Sequence, residues 1–162
     1  MKNFNKIVMI VLFLIFCVMA VLVHYGLTGS FDVAVYKFVI GFRSDSLTKV
    51  FLFITEFASV KGIVFLCAVS LIGLFWKYYK SLFLVLNVIV STIFNVVLKN
   101  IMMVPRPNIL RLAEETGYSF PSGHSSTTMC FYGILIYLVL HYAKSDFWRY
   151  FLTSLFGIFI FL

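Results

Sequence analysis

Five residues carry the chemistry this sequence can do: Lys99, Arg106, Ser122, Gly123 and His124. Lys99 and Arg106 sit in "LKNIMMVPRPN" (98–108), seven residues apart, with Arg106 held between Pro105 and Pro107. A proline fixes its own φ and keeps the preceding residue out of the helical region, so the Arg106 backbone is restricted. A restricted guanidinium suits bidentate recognition of a phosphate, to which a lysine adds a point charge. The other three residues belong to "YSFPSGHSS" (118–126), a polar, turn-rich stretch between apolar runs. Ser122 can cap a helix start, Gly123 allows close approach of a ligand to the backbone, and His124 then projects from the first turn. The unpaired N–H groups and dipole of such a helix end attract an anion. The five residues therefore read as a phosphate site with an acid beside it. Taken singly, the two cations would read as headgroup anchors and the histidine as structural; their shared loop system favours the site.

The elements that hold these residues are membrane helices. Of the 162 residues 62% are hydrophobic and 12% charged, against about 45–50% and 25% in soluble domains. The apolar residues come in long uncharged blocks of the kind a bilayer requires. Spans are predicted over Ile7–Val23, Phe57–Trp76, Ser81–Leu98 and His124–Ala143, with a fifth apolar run from Tyr150 to Leu162. The first run is longer than a signal-peptide core and has no clean cleavage site after it. Between the first two spans, Val35, Phe38, Val39 and Phe42 follow helical spacing and predict an amphipathic interfacial helix. Ala58 and Gly62, four apart, offer a close-packing surface, and Lys61 beside them can snorkel. Asn87, Ser91, Asn95 and Lys99 are each four apart and share one side of the third span; Asn87 and Ser91 read as interhelical hydrogen-bonding groups.

The net charge of +7 comes mostly from residues flanking the spans, which points to orientation in the membrane rather than to nucleic acid. Lys2 and Lys6, Lys77 and Lys80, and Lys144 and Arg149 fall on alternate sides of successive spans, so all are expected in the cytoplasm. The 99–123 loop then faces outward, where Lys99, Arg106 and Arg111 break the positive-inside pattern and call for another role. Glu114 and Glu115 read as a solvated face with Arg111. His24 and His141 read as interfacial. Cys17, Cys67 and Cys130 lie inside apolar runs and read as small buried hydrophobes.

Lys99–Pro107 fits K-x6-R-P and Pro121–His124 fits P-S-G-H. Together, in this order on the outer loop between two spans, they resemble the motifs of the type 2 phosphatidic acid phosphatase family, from about Asp32 onward. The resemblance implies a six-span bundle and a hydrolase of phospholipid metabolism. It implies phosphate binding by Lys99, Arg106, Ser122 and Gly123, and protonation of the leaving group by His124. It implies a second histidine that attacks phosphorus and an aspartate that orients it, both in a third motif, S-R-x5-H-x3-D, which these residues do not contain. No metal or cofactor is implied. Tyr150–Leu162 would span about 20 Å of a core of about 30 Å, so the sequence is expected to be the N-terminal portion of a longer protein.

The fold expected is an all-α integral membrane helical bundle, with five spans begun here, the fifth truncated, and six in the full protein. Residues 1–162 are expected to form a single membrane-embedded phosphatase domain, incomplete at its C-terminus. The expected function is a metal-independent lipid phosphatase of the cell membrane, acting on the outer face through a phosphohistidine. Its partners would be a lipid phosphate and membrane lipids, with no nucleic acid. The 162 residues alone are expected to be inactive. The alternatives are a non-catalytic lipid-phosphate binder and, with least support from the spans, a transporter component.

Overall fold

The computed structural model describes residues 2–73, 78–106 and 117–161. Among them the chain is helical: α1 Lys2–His24, α2 Gly29–Ile40, α3 Asp45–Ala58, α4 Val60–Gly73, α5 Tyr78–Met102, α6 Gly123–Tyr142 and α7 Asp146–Phe161. Pro107, Asn108, Arg111, Glu114, Glu115, Trp76 and Lys77, which figure in the sequence expectations, lie outside the described residues.

Three of these helices are long and apolar enough to cross a membrane: Asn5–His24, Tyr79–Met102 and Gly123–Tyr142. A fourth crossing is made if α3 and α4 count as one span bent by 52°. The fifth run, expected to be truncated, forms α7, and the count of five is not confirmed. The 16 residues of α7 rise about 24 Å, short of a core of about 30 Å. The second span also differs from its expectation, because it breaks at Ser59. The Ser59 hydroxyl donates to Glu56 O at 2.7 Å and accepts from Gly62 N–H at 3.1 Å. It thus ends one helix and starts the next. A Cβ on Gly62 would lie 2.0 Å from Glu56 O. That glycine is required by the break itself, not by the packing of a second helix. Lys61 is exposed in the first turn after the break.

A helix forms over this segment as α2, but Gly41 ends it, and Phe42 reaches back from the following turn to the Phe38 ring at 5.0 Å.

The chain divides into two compact units, one of Met1–Arg43 with Lys99–Phe120, the other of Ser44–Leu98 with Pro121–Leu162. In the first, α1 is apolar on all sides and almost wholly exposed, as a lipid-facing helix should be. Its Phe16 ring stacks on Phe120 at 6.1 Å.

The second unit holds the core: Ile63, Leu84, Val88, Phe131 and Tyr132. Phe131 is 1% exposed, and Tyr132 stacks on Phe159 of α7 at 5.1 Å. Between lipid-bathed helices such contacts act by close packing more than by escape from water. Helices α5 and α6 run antiparallel here. At one end Lys80, 6% exposed, sets its ammonium 2.8 Å from the centre of the Tyr142 ring. At the other, Asn95 bonds to Ser122. The start of α5 and the 141–149 connector therefore share one end of this unit, as the alternation of basic residues requires. In that connector Arg149 pairs with Asp146 at 2.6 Å and donates to Ala143 O at 2.9 Å, fixing the α6–α7 corner.

Candidate active site

Helix α5 ends where the sequence places its last cation. Met103 N–H donates to Lys99 O at 2.9 Å, and Met103 takes a left-handed φ of 50°. That conformation terminates a helix and is usually left to glycine. Beyond it, residues 104–105 are tied to residue 119. Ser119 N–H donates to Val104 O at 2.9 Å, and its hydroxyl lies 3.2 Å from Val104 O and 3.1 Å from Pro105 O. Both cations are anchored to the same returning segment. Lys99 Nζ donates to Tyr118 O at 2.9 Å, and Arg106 Nε donates to Gly117 O at 3.0 Å. Gly117 has φ +77°, a conformation that L side chains rarely adopt. The first unit thus brings Lys99 and Arg106 to one backbone stretch, 117–118.

In the second unit the turn at 121–126 is the start of α6. Ser122 is the N-cap residue, its hydroxyl accepting from Ser125 N–H at 3.2 Å. Gly123 and His124 occupy the first two helical positions, whose N–H groups have no partner within the helix. Thr127 hydroxyl donates to Gly123 O, and Ser126 hydroxyl does so at 3.1 Å. His124 is half-buried on the first turn. Phosphate-type anions bind such a turn through main-chain N–H groups and the positive end of the helix dipole. The expected roles of Ser122 as a cap and Gly123 as a residue without a side chain at the helix entrance have their geometry here.

Two participants escaped the sequence reading. Ser119 was part of the quoted stretch, yet nothing in its spacing reveals that it ties the two arms of the loop. Asn95 stood in the polar stripe without an assigned partner. It is 6% exposed and donates to Ser122 O at 3.2 Å and to Ser126 Oγ at 3.0 Å. Of the stripe's other members, Asn87 was expected to bond a neighbouring helix, but its amide turns back to Phe83 O of its own helix at 2.7 Å.

A membrane protein, helical among the described residues, with a serine-capped helix entrance at its candidate site, is the class that this architecture defines. Residues 80–162, which include all five candidate residues, match the family model described as the PAP2 superfamily. The chain belongs to that superfamily. It is 30% identical over 131 residues to phosphatidylglycerophosphatase B of Bacillus subtilis (strain 168), an alignment that takes in 80% of this chain. The chain spans 64% of the length of that curated relative. Among solved structures it resembles the crystal structure titled the first transmembrane PAP2 type phosphatidylglycerolphosphate phosphatase from Bacillus subtilis. The TM-score is 0.84 at 28% identity, with 94% of this chain and 77% of that chain covered.

Proposed function

We propose that this chain is the greater part of a membrane lipid phosphatase that removes phosphate from an amphiphilic phosphomonoester or diphosphate. The observation that carries the reading is the Ser122-capped entrance of α6 with His124 on its first turn, inside the stretch that matches the superfamily. The name of the relative makes phosphatidylglycerophosphate the first substrate to test, with phosphatidate and an isoprenoid diphosphate beside it. Lys99, Arg106 and the N–H groups at Ser122–Gly123 would bind phosphate oxygens. A histidine attacks phosphorus, the bond from phosphorus to the lipid oxygen breaks, and His124 gives that oxygen a proton. Water then gives a proton to His124 as its oxygen bonds phosphorus, the phosphorus–nitrogen bond breaks, and phosphate is released.

His141 is not that attacking group. It lies at the far end of α6, with its Nδ1 2.9 Å from Tyr137 O. Seventeen residues of helix put it about 25 Å from His124, far beyond the reach of about 3 Å that attack requires. His24 is held at the end of α1 against the Tyr25 ring. The nucleophile is proposed to be the histidine of the third motif that the family resemblance implies, outside residues 1–162. The cations and main-chain N–H groups named here suit an anion, and the reading proposed needs no metal. The test is phosphate release by the full-length protein and by residues 1–162 alone, each with and without excess chelator. The expected result is turnover by the full-length protein that chelator leaves intact, and none by residues 1–162. Activity lost to chelator and restored by Mg²⁺ would overturn the metal-free reading. Turnover by residues 1–162 would return the nucleophile to them.

The site is proposed to face outward, because Lys80, Lys144 and Arg149 share the opposite end of the second unit and Lys/Arg excess marks the cytoplasmic side. Met103 and Ser145 are both exposed. With Cys17, Cys67 and Cys130 removed, Met103→Cys is expected to react with an impermeant maleimide in intact cells, and Ser145→Cys only after lysis. The reverse pattern would place the site in the cytoplasm.

A further inference from the structure

We infer that Asn95 is a positioning residue: it fixes the first turn of α6, and so the direction of the His124 imidazole and of the Gly123 and His124 N–H groups. The inference rests on the phosphatase reading of that turn. The Asn95 amide carries two N–H groups, and both go to the turn, one to Ser122 O at 3.2 Å and one to Ser126 Oγ at 3.0 Å. The two acceptors lie two residues before and two residues after His124, so the turn is gripped on both sides of the histidine.

The orientation of the amide is dictated by its partners. A main-chain carbonyl can only accept, and the Ser126 hydroxyl spends its proton on Gly123 O at 3.1 Å. Both positions therefore require N–H, which only Nδ2 supplies. The amide oxygen is then left beside Gly123, 3.6 Å from where a Cβ on that residue would be. Asn95 is 6% exposed, so water does not replace it readily. Its neighbour along the stripe does something else: Asn87 bonds its own helix.

Two amides report the state of the turn, Ser125 N–H on Ser122 Oγ and Ser126 N–H on Ser122 O, each at 3.2 Å. The experiment uses the full-length protein and measures steady-state kinetics on phosphatidylglycerophosphate together with amide hydrogen exchange. A misplacement of about 1 Å at a reacting group can cost about a hundredfold. Asn95→Ala is accordingly expected to lower kcat about thirtyfold, to change KM less than about threefold, and to speed exchange at 125–126 about tenfold, with exchange at 131–132 unchanged. Asn95→Asp keeps the size but sets oxygen against both acceptors, and is expected to be the worse of the two. Asn87→Ala is the control, expected to match wild type in both measurements. If Asn95→Ala fails to fold, Ser126→Ala removes one arm of the grip. It should then give a smaller kcat loss that is not additive with that of Asn95→Asp.

A kcat for Asn95→Ala within threefold of wild type, wild-type exchange at 125–126, or Asn95→Asp as active as Asn95→Ala would each overturn the inference. A wild-type protein with no phosphate release would overturn the phosphatase reading instead. The exchange measurement alone would then decide whether Asn95 holds the turn.

Discussion

Replacing His124 with Gln is expected to lower turnover of a lipid phosphate about a thousandfold, within the range of about 10²–10⁴ that a positioned acid contributes. Glutamine keeps a polar side chain on the first turn of α6, so the Ser122 cap and the bonds that Ser126 and Thr127 make to Gly123 O have no reason to change. What it removes is a ring nitrogen that can carry a proton to the leaving oxygen. The leaving group separates this loss from a general disturbance of the site. A lipid alkoxide is a poor leaving group and needs its proton as the bond to phosphorus breaks, whereas a nitrophenolate leaves without one. Hydrolysis of p-nitrophenyl phosphate by His124→Gln is therefore expected to fall far less than hydrolysis of phosphatidylglycerophosphate. Equal losses on both substrates would show that His124 binds or shapes the site and does not donate the proton. Full activity on the lipid would remove it from the reaction.

The spans were legible wherever a continuous apolar run ends at charge or turn residues. The run predicted over Ile7–Val23 is α1, Ser81–Leu98 is the body of α5, and His124–Ala143 is α6 within one residue at each end. The P-S-G-H turn was legible for the same local reason, because a serine cap followed by glycine states where a helix begins. The failures concern partners distant in sequence or choices between equivalent partners. "FASVKGIVF" (57–65) is apolar on both sides of Ser59, and hydropathy cannot distinguish a serine that donates to its own helix from one that breaks it. Gly62 paired naturally with Ala58 as a packing surface, while its actual constraint is the Glu56 carbonyl that a Cβ would strike. Asn87 and Asn95 are the same residue type on the same stripe. Only one lies beside a helix entrance with two acceptors to satisfy, and that neighbour is 27 residues away in sequence. Lys80 counted towards orientation as a basic flank, although its ammonium lies against Tyr142.

Arg106→Lys is expected to lower kcat/KM by about a hundredfold or more, although it conserves charge. Arg106 is anchored as well as charged: its Nε donates to Gly117 O at 3.0 Å, and this bond fixes the plane of the guanidinium. With that plane fixed, the two terminal nitrogens present their N–H groups in a set direction, the arrangement that reads a phosphate bidentately. Lysine has one nitrogen on a flexible stem. It can reach the Gly117 carbonyl or a phosphate, but it cannot be aligned by the first while gripping the second at two oxygens. Hydrogen bonds to charged groups contribute about 1.5–3 kcal/mol each. Losing one of the fork pair together with the alignment costs about 3 kcal/mol, and each 1.36 kcal/mol is a factor of about ten. The anchor can be disturbed from its other side. Gly117 holds φ +77°, so Gly117→Val would strain that backbone and displace the carbonyl, with a loss of the same sign and smaller size. Thermal unfolding in detergent should move little for Arg106→Lys, because this loop end carries none of the buried core residues Ile63, Leu84, Val88, Phe131 and Tyr132. Near-normal kcat/KM in Arg106→Lys would remove Arg106 from phosphate binding and leave its bond to Gly117 as a purely structural tie.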